Sequence, residues 1–170
     1  MSARFEGPEW CNEHRIREEW ATWLATFPWS HFATYTFAEP CTSPRAAFGR
    51  LKAHHRRLRD RRHVVAKSFA VVEGSESVRL HLHALCSLAW TADRARLHTS
   101  GLLSKSLHTE AYREWFERWG RCRVSPMRGD SIGASFYVAK YLVKEGEQPS
   151  GEPRWMFLPS GLWGATVAEC

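Results

Sequence analysis

Two short stretches carry side chains able to do chemistry together. In "RLHLHALCSL", residues 79–88, His81 and His83 stand two positions apart. Side chains at i and i+2 of a strand share a face. Both imidazoles therefore point one way, flanked by Arg79 and Leu85, while Leu80, Leu82, Ala84 and Cys86 point into a core. Two imidazoles at this spacing converge on one divalent cation if a third ligand arrives from elsewhere. The preceding strand ends in Glu73, and a turn through residues 74–79 brings that carboxylate to the pair. Glu76, in the turn, is the alternative third ligand. Alone, an H-x-H pair in a chain with nine histidines fits equally well two strand histidines bonded to their neighbours.

The second stretch is "SFYVAKYLVK", residues 135–144. Read as a helix, its i, i+3, i+4, i+7 spacing puts Tyr137, Lys140, Tyr141 and Lys144 on one stripe. Phe136, Ala139, Leu142 and Val143 form an apolar face roughly opposite. The expectation is a helix that packs by its apolar side and presents its phenols. A phenol is a nucleophile once deprotonated, but with a free pKa of about 10 it needs help at neutral pH. Lys140 and Lys144 lie within one turn of Tyr141 and supply positive charge. The plainer reading is a surface helix with snorkelling lysines and half-buried tyrosines.

The elements that must position these groups follow from periodicity. Residues 13–27 repeat apolar groups at Ile16, Trp20, Trp23, Leu24 and Phe27, a helical stripe that Pro28 ends. "HFATYTF" alternates as a strand. Ser43-Pro44 opens a helix through residue 62. Residues 64–74 and 78–88 form a strand hairpin about "SES". Residues 91–120 read as two helical pieces with Thr91 and Thr109 as caps, and Tyr112, Trp115, Phe116 and Trp119 form the apolar face of the second. "RCRVSPM" is a short strand, followed by the tyrosine helix ending at Gly146. In the Pro/Gly-rich tail, residues 147–170, "RWMFL" is the one strand candidate. The order α-β-α-β-β-α-α-β-α predicts an α+β fold, with helices on one face of an antiparallel sheet. A single domain over residues 1–170, with an N-terminal helix in 1–30, is expected.

Composition narrows the function classes. The net charge is +6 and the pI near 9.3, which favours an acidic partner, nucleic acid first. Arg45, Arg50, Lys52, Arg56, Arg57, Arg59, Arg61 and Arg62 crowd one helix against a single Asp60. Such a run is either a solvated face or a phosphate-binding one; His54 and His55 lie inside it. Of nine tryptophans, Trp20, Trp23, Trp115 and Trp119 fit helix cores. Trp29, Trp90, Trp155 and Trp163, at element ends or in loops, are the candidates for stacking on unpaired bases. The five cysteines show no C-x-x-C, which argues against a disulfide framework or zinc knuckle and for a reducing, cytoplasmic setting. No apolar run is long enough to span a membrane. No G-x-x-x-x-G-K-[ST] occurs, so a helicase activity is expected from a host protein.

Taken together, "FATYTF" (32–37), the "HLH" strand and "YVAKYLVK" resemble, in order, the three motifs of an HUH endonuclease, specifically a rolling-circle replication initiator domain. The resemblance spans residues 32–144. It implies an RRM-like core and a site-specific nick in single-stranded DNA at a replication origin of a plasmid or phage. It also implies a 5′-phosphotyrosine intermediate and Mg2+ or Mn2+ held by His81, His83 and Glu73. In the related plasmid initiators a glutamate replaces the first tyrosine, which implies Tyr141 as the leading nucleophile and Tyr137 as the second. Arg50, Arg56, Arg57, Arg59 and Arg79 are the expected DNA contacts. Two rival readings are a transposase using the same chemistry and a non-catalytic single-stranded nucleic-acid binder. The binder would display sheet aromatics such as Tyr35.

Overall fold

The structure is a computed structural model that describes residues 9–75, 78–99, 106–143 and 154–158. Among these residues five helices and five strands follow in the order α1 (Glu9–Ala25), β1 (His31–Thr36), α2 (Pro44–Arg57), β2 (Val64–Ser75), β3 (Val78–Trp90), α3 (Ala92–Thr99), α4 (Leu107–Phe116), β4 (Cys122–Pro126), α5 (Ile132–Val143) and β5 (Trp155–Leu158). A π-helical turn, Leu58–Arg62, continues α2. The strands form one antiparallel sheet in the order β4-β1-β3-β2-β5. This is an α+β architecture with helices flanking the sheet, consistent with an RRM-like core.

Helices cover both faces of the sheet, not the single face expected. The cause is that the strands are apolar on both sides. Ala33 and Tyr35 of β1, Ala66 and Ala70 of β2 and Leu80–Leu88 by alternation on β3 pack against Phe48 and Leu51 of α2 and Trp115 of α4. The opposite residues, Phe69 and Val71 of β2 and Leu85 of β3, pack against Leu24 of α1 and Val138 and Tyr141 of α5. Burial of large side chains on both sides stabilises each by roughly 1.5–3 kcal/mol.

Local signals account for most element ends. Ser43 caps α2, its hydroxyl accepting from the Ala46 N–H, with Pro44 in the first turn. Helix α4 begins after Ser106, whose extended backbone makes it the boundary; Thr109 lies inside the first turn, so the expected cap is displaced by three residues. Thr91 holds the expected place before α3, its carbonyl accepting from the Ala95 N–H, but its hydroxyl bonds nothing among the described residues. The tail strand "RWMFL" pairs with β2. The predicted end of α5 at Gly146 and the Trp163 candidate lie outside the described residues.

Candidate active site

The β2–β3 hairpin sets Glu73 directly opposite His81. Just past Glu73 the register shifts, and Gly74 takes φ 115, a conformation side chains resist. The bulge leaves Glu73 as the last regularly paired residue of β2 before the turn, its carboxylate between two imidazoles. Glu73 Oε2 lies 2.8 Å from His81 Nε2 and 2.9 Å from His83 Nε2. All three ligand atoms fall within 4.8 Å of one another. Adjacent ligands around a cation bound at about 2.1 Å stand roughly 3.0 Å apart, so the cluster fits a small divalent ion with little movement. Glu76 lies outside the described residues.

The groups behind the two imidazoles favour the same reading. His81 Nδ1 lies 3.3 Å from the Arg79 carbonyl, which only accepts, so Nδ1 carries the proton. In the neutral ring Nε2 is then a bare lone pair facing a carboxylate oxygen. Two acceptors at 2.8 Å need a proton or a cation between them. His83 Nδ1 is held by Thr34 Oγ1 at 3.1 Å, again leaving Nε2 for the cluster. Burial raises the Glu73 pKa, but its polar contacts with His83, His81 and Tyr141 outweigh it and the net shift is downward. Burial lowers that of His83, against the pull of Glu73, so its ring favours the neutral, ligating form.

Helix α5 turns its tyrosine stripe toward the histidine strand, with Ala139 of its apolar face also buried. Tyr141 is only 4% exposed and faces the sheet beside Val138, while Tyr137 is 40% exposed. Tyr137 is presented as expected, whereas Tyr141 is buried against the sheet. The helix is held between sheet and α1, where Arg17 donates from Nε to the Phe136 carbonyl and lies over the Phe136 ring. Once both sides of α5 are covered, the stripe with the richer contacts faces the histidines. The Tyr141 ring lies over His83 at a centroid distance of 4.8 Å and 12° between planes. Tyr137 meets His83 and Phe32 edge-on, at 5.3 and 5.5 Å. The Tyr141 hydroxyl donates to the Tyr137 oxygen at 3.0 Å. Lys140 Nζ stands 4.8 Å from the Tyr137 ring centre and 4.7 Å from that of Tyr141, so its charge reaches both. Burial, then the bond to Tyr137 and the Glu73 carboxylate, push the Tyr141 pKa well above the ordinary phenol value. Lys144 lies outside the described residues.

The basic helix α2 packs on the opposite face of the sheet from this cluster. Arg57 is only partly exposed: with Arg62 it pairs with the fully buried Glu114. Freeing Arg57 would leave that carboxylate buried with one partner fewer, so this guanidinium is tied to the core in a way the other expected DNA contacts are not. Arg56 and Arg59 are exposed and, with Lys52, line a groove of about 780 Å3 between α2 and β5. Arg59 also pairs with Asp60 at 2.9 Å. Arg50 Nη1 reaches the Glu39 carbonyl at 3.5 Å, with its guanidinium over Phe37. Arg79 alone of the expected DNA contacts lies on the cluster's face, exposed, two residues from His81.

Other candidates resolve into packing. His54 is fully buried among Tyr35, Trp115 and Trp119, so it is not a phosphate ligand. Trp29 is buried and donates to the Leu24 carbonyl, Trp155 packs on Trp20 and Phe69, and Trp90 packs at the core margin. Tyr35, 1% exposed, is unavailable for base stacking, which removes the feature cited for a non-catalytic binder. Thr34 and Phe32 join the site without having been expected there. Their signal lies in "FATYTF", where they alternate with buried Ala33 and Tyr35 and so had to share the other face.

A family model described as replication-associated protein ORF2 matches residues 30–146. Those residues include Glu73, His81, His83, Tyr137, Lys140 and Tyr141. Comparison with curated proteins and with solved structures returned no match.

Proposed function

The chain belongs to this replication-associated protein family, and from that premise we propose that it is a nicking-joining endonuclease of the HUH type, acting on single-stranded DNA at an origin of replication. The observation that carries this reading is the stacking of Tyr141 on His83, a residue whose other edge meets Glu73. A nucleophile and a candidate metal ligand share one contact. Glu73, His81 and His83 would hold Mg2+ or Mn2+, which would supply Lewis-acid polarisation of the scissile phosphate and charge for the leaving oxygen. The imidazoles favour Mn2+, the carboxylate accepts either.

The chain's own residues do the rest. Tyr141 Oη attacks phosphorus, forming the Tyr–O–P bond as the P–O3′ bond breaks, so the bond energy is conserved for rejoining. The phenolic proton leaves along the existing hydrogen bond to Tyr137, whose half-exposed hydroxyl meets solvent. Lys140 stabilises the developing phenolate, offsetting the rise that burial imposes on Tyr141. Tyr137 is then free to receive the strand in a second transfer. We assign Arg50, Arg56 and Arg59, on the far face, to more distant phosphates, Arg79 to phosphates near the cut, and strand separation to a host helicase. No helix among the described residues is long and apolar enough to cross a membrane.

The test is incubation with labelled single-stranded origin DNA and Mn2+, followed by a denaturing gel. A covalent adduct that needs the ion and vanishes in the His81→Ala/His83→Ala double variant is the expected result. An adduct that forms equally well in EDTA would exclude the metal-assisted reading.

A further inference from the structure

Helices α1 and α5 lie over β2, β3 and β5, so Tyr137 and Tyr141 close the cluster from one side only. On the other side the same sheet face continues across β1 and β4. There Thr36 and Arg123 are exposed, and Phe32, Thr34 and Ser125 are half-buried. Beyond the edge contact of Tyr137 with Phe32, no described helix lies closely over this half of the face, and among the described residues a shelf runs from the cluster to the sheet edge.

The register of the strands determines what stands on that shelf. Residues directly opposed in an antiparallel ladder project from the same face. One row across the sheet is Glu73–His81–Thr36, and the next is Val71–His83–Thr34–Arg123. The face is established by Thr34, whose hydroxyl contacts His83 Nδ1 at 3.1 Å. Arg123 is therefore on the face of the cluster, in the row of His83, two strands away. At a strand spacing of about 4.8 Å its Cα lies roughly 10 Å from that of His83. A long side chain reaching inward brings its guanidinium most of the way to a phosphate held at the cluster. The register itself is pinned by Gly120, at φ 139, where an added Cβ would meet Ala38 N at 2.5 Å. No ion pair engages Arg123 among the described residues.

We propose that Arg123 is a substrate-binding residue that clamps the phosphodiester backbone beside the scissile phosphate, on the open shelf formed by β1 and β4. The single strand enters over β4, crosses Thr34 and Phe32, and reaches the cluster next to Tyr137. Arg79 then stands at the far end of the same path, two residues beyond His81 along β3. A guanidinium suits this task because its planar fork grips two phosphate oxygens at once. The assignment rests on the nuclease reading above for the meaning of the path, but binding alone can test it.

The experiment measures anisotropy of a labelled oligo-dT strand in EDTA, where no cleavage occurs, over a range of salt. Arg123→Ala is expected to weaken binding about tenfold and to lower the log–log salt slope by about 0.7, the value of one phosphate contact to a single strand. Arg123→Lys keeps the slope and recovers only part of the affinity. Arg113→Ala, an exposed arginine on the outer side of α4, is the control and should match the wild type. Unchanged affinity and slope for Arg123→Ala, or an equal loss for Arg113→Ala, would overturn the assignment. If the wild type forms no adduct with origin DNA yet Arg123→Ala still loses binding, the nuclease reading fails and the clamp stands.

Discussion

The Tyr141 ring lies nearly flat on the imidazole of His83, with centroids 4.8 Å apart and planes 12° apart. This contact makes the tyrosine helix and the histidine strand a single site. It also explains why Tyr141 is buried while Tyr137, one turn earlier, is not. The two phenols are chemically alike but not equivalent: one is seated against a candidate ligand, the other opens to solvent.

Thr34 anchors His83 from behind at 3.1 Å. Thr34→Val keeps the shape of the side chain and removes the hydrogen bond. Partners that orient a ligating imidazole in this way typically control metal affinity by about ten- to a hundredfold. Mn2+ titration of the variant should show that loss with an unchanged urea midpoint. Wild-type affinity would mean that the imidazole is oriented by Tyr141 stacking alone.

Glu114 is fully buried and paired with both Arg57 and Arg62. Removing one partner of a buried pair costs about 3–5 kcal/mol. Both arginines keep a fifth of their side-chain surface exposed and can turn to water, so the lower end applies. Glu114→Ala should lower unfolding stability by about 3 kcal/mol in urea. A change under about 1 kcal/mol would show the network to be no stronger than a surface pair.

One buried histidine, His54, and its half-buried neighbour His55 make the fold sensitive to acid. Burial, then the charges of His55 and Arg57, hold the His54 pKa well below its usual range. Burial pushes His55 down to about 4. Neither His54 ring nitrogen has a hydrogen-bond partner among the described residues. Both rings are neutral in the folded protein, whereas the unfolded chain protonates them near pH ~6.5. As the pH falls below that value the unfolded state binds more protons. Stability is therefore complete above about 6.5 and declines toward pH 4, by at most about 1.4 kcal/mol per pH unit for each histidine. Urea midpoints at pH 7.5 and pH 5 measure the slope. His54→Leu should flatten it, and an identical slope in that variant would place the acid sensitivity elsewhere.

Much of this site is legible without coordinates. The alternation of "RLHLHALCSL" puts both histidines on one face, and the short turn after Glu73 brings the carboxylate to them. Both follow from local geometry with period two. The orientation of α5 does not, because helical periodicity identifies stripes but not which stripe turns inward when neighbours cover two sides. The motifs together aim the stripe at the histidines, but that Tyr141 is buried and Tyr137 exposed depends on how α1 and the sheet flank the helix. The fate of Arg57 is equally hidden, since its partner Glu114 lies 57 residues away. Helices on both faces are foreshadowed by "FATYTF", whose Phe32 and Tyr35 are apolar on opposite sides of β1.

The central claim of the proposed function is that Tyr141, not Tyr137, takes the DNA first. The decisive measurement is mass-spectrometric mapping of the covalent adduct formed by the unmodified protein on single-stranded origin DNA with Mn2+. The expected result is a nucleotide attached through phosphate to Tyr141, with Tyr137 modified only on a second transfer and no adduct in Tyr141→Phe. First-turnover attachment to Tyr137, retained in Tyr141→Phe, would contradict it.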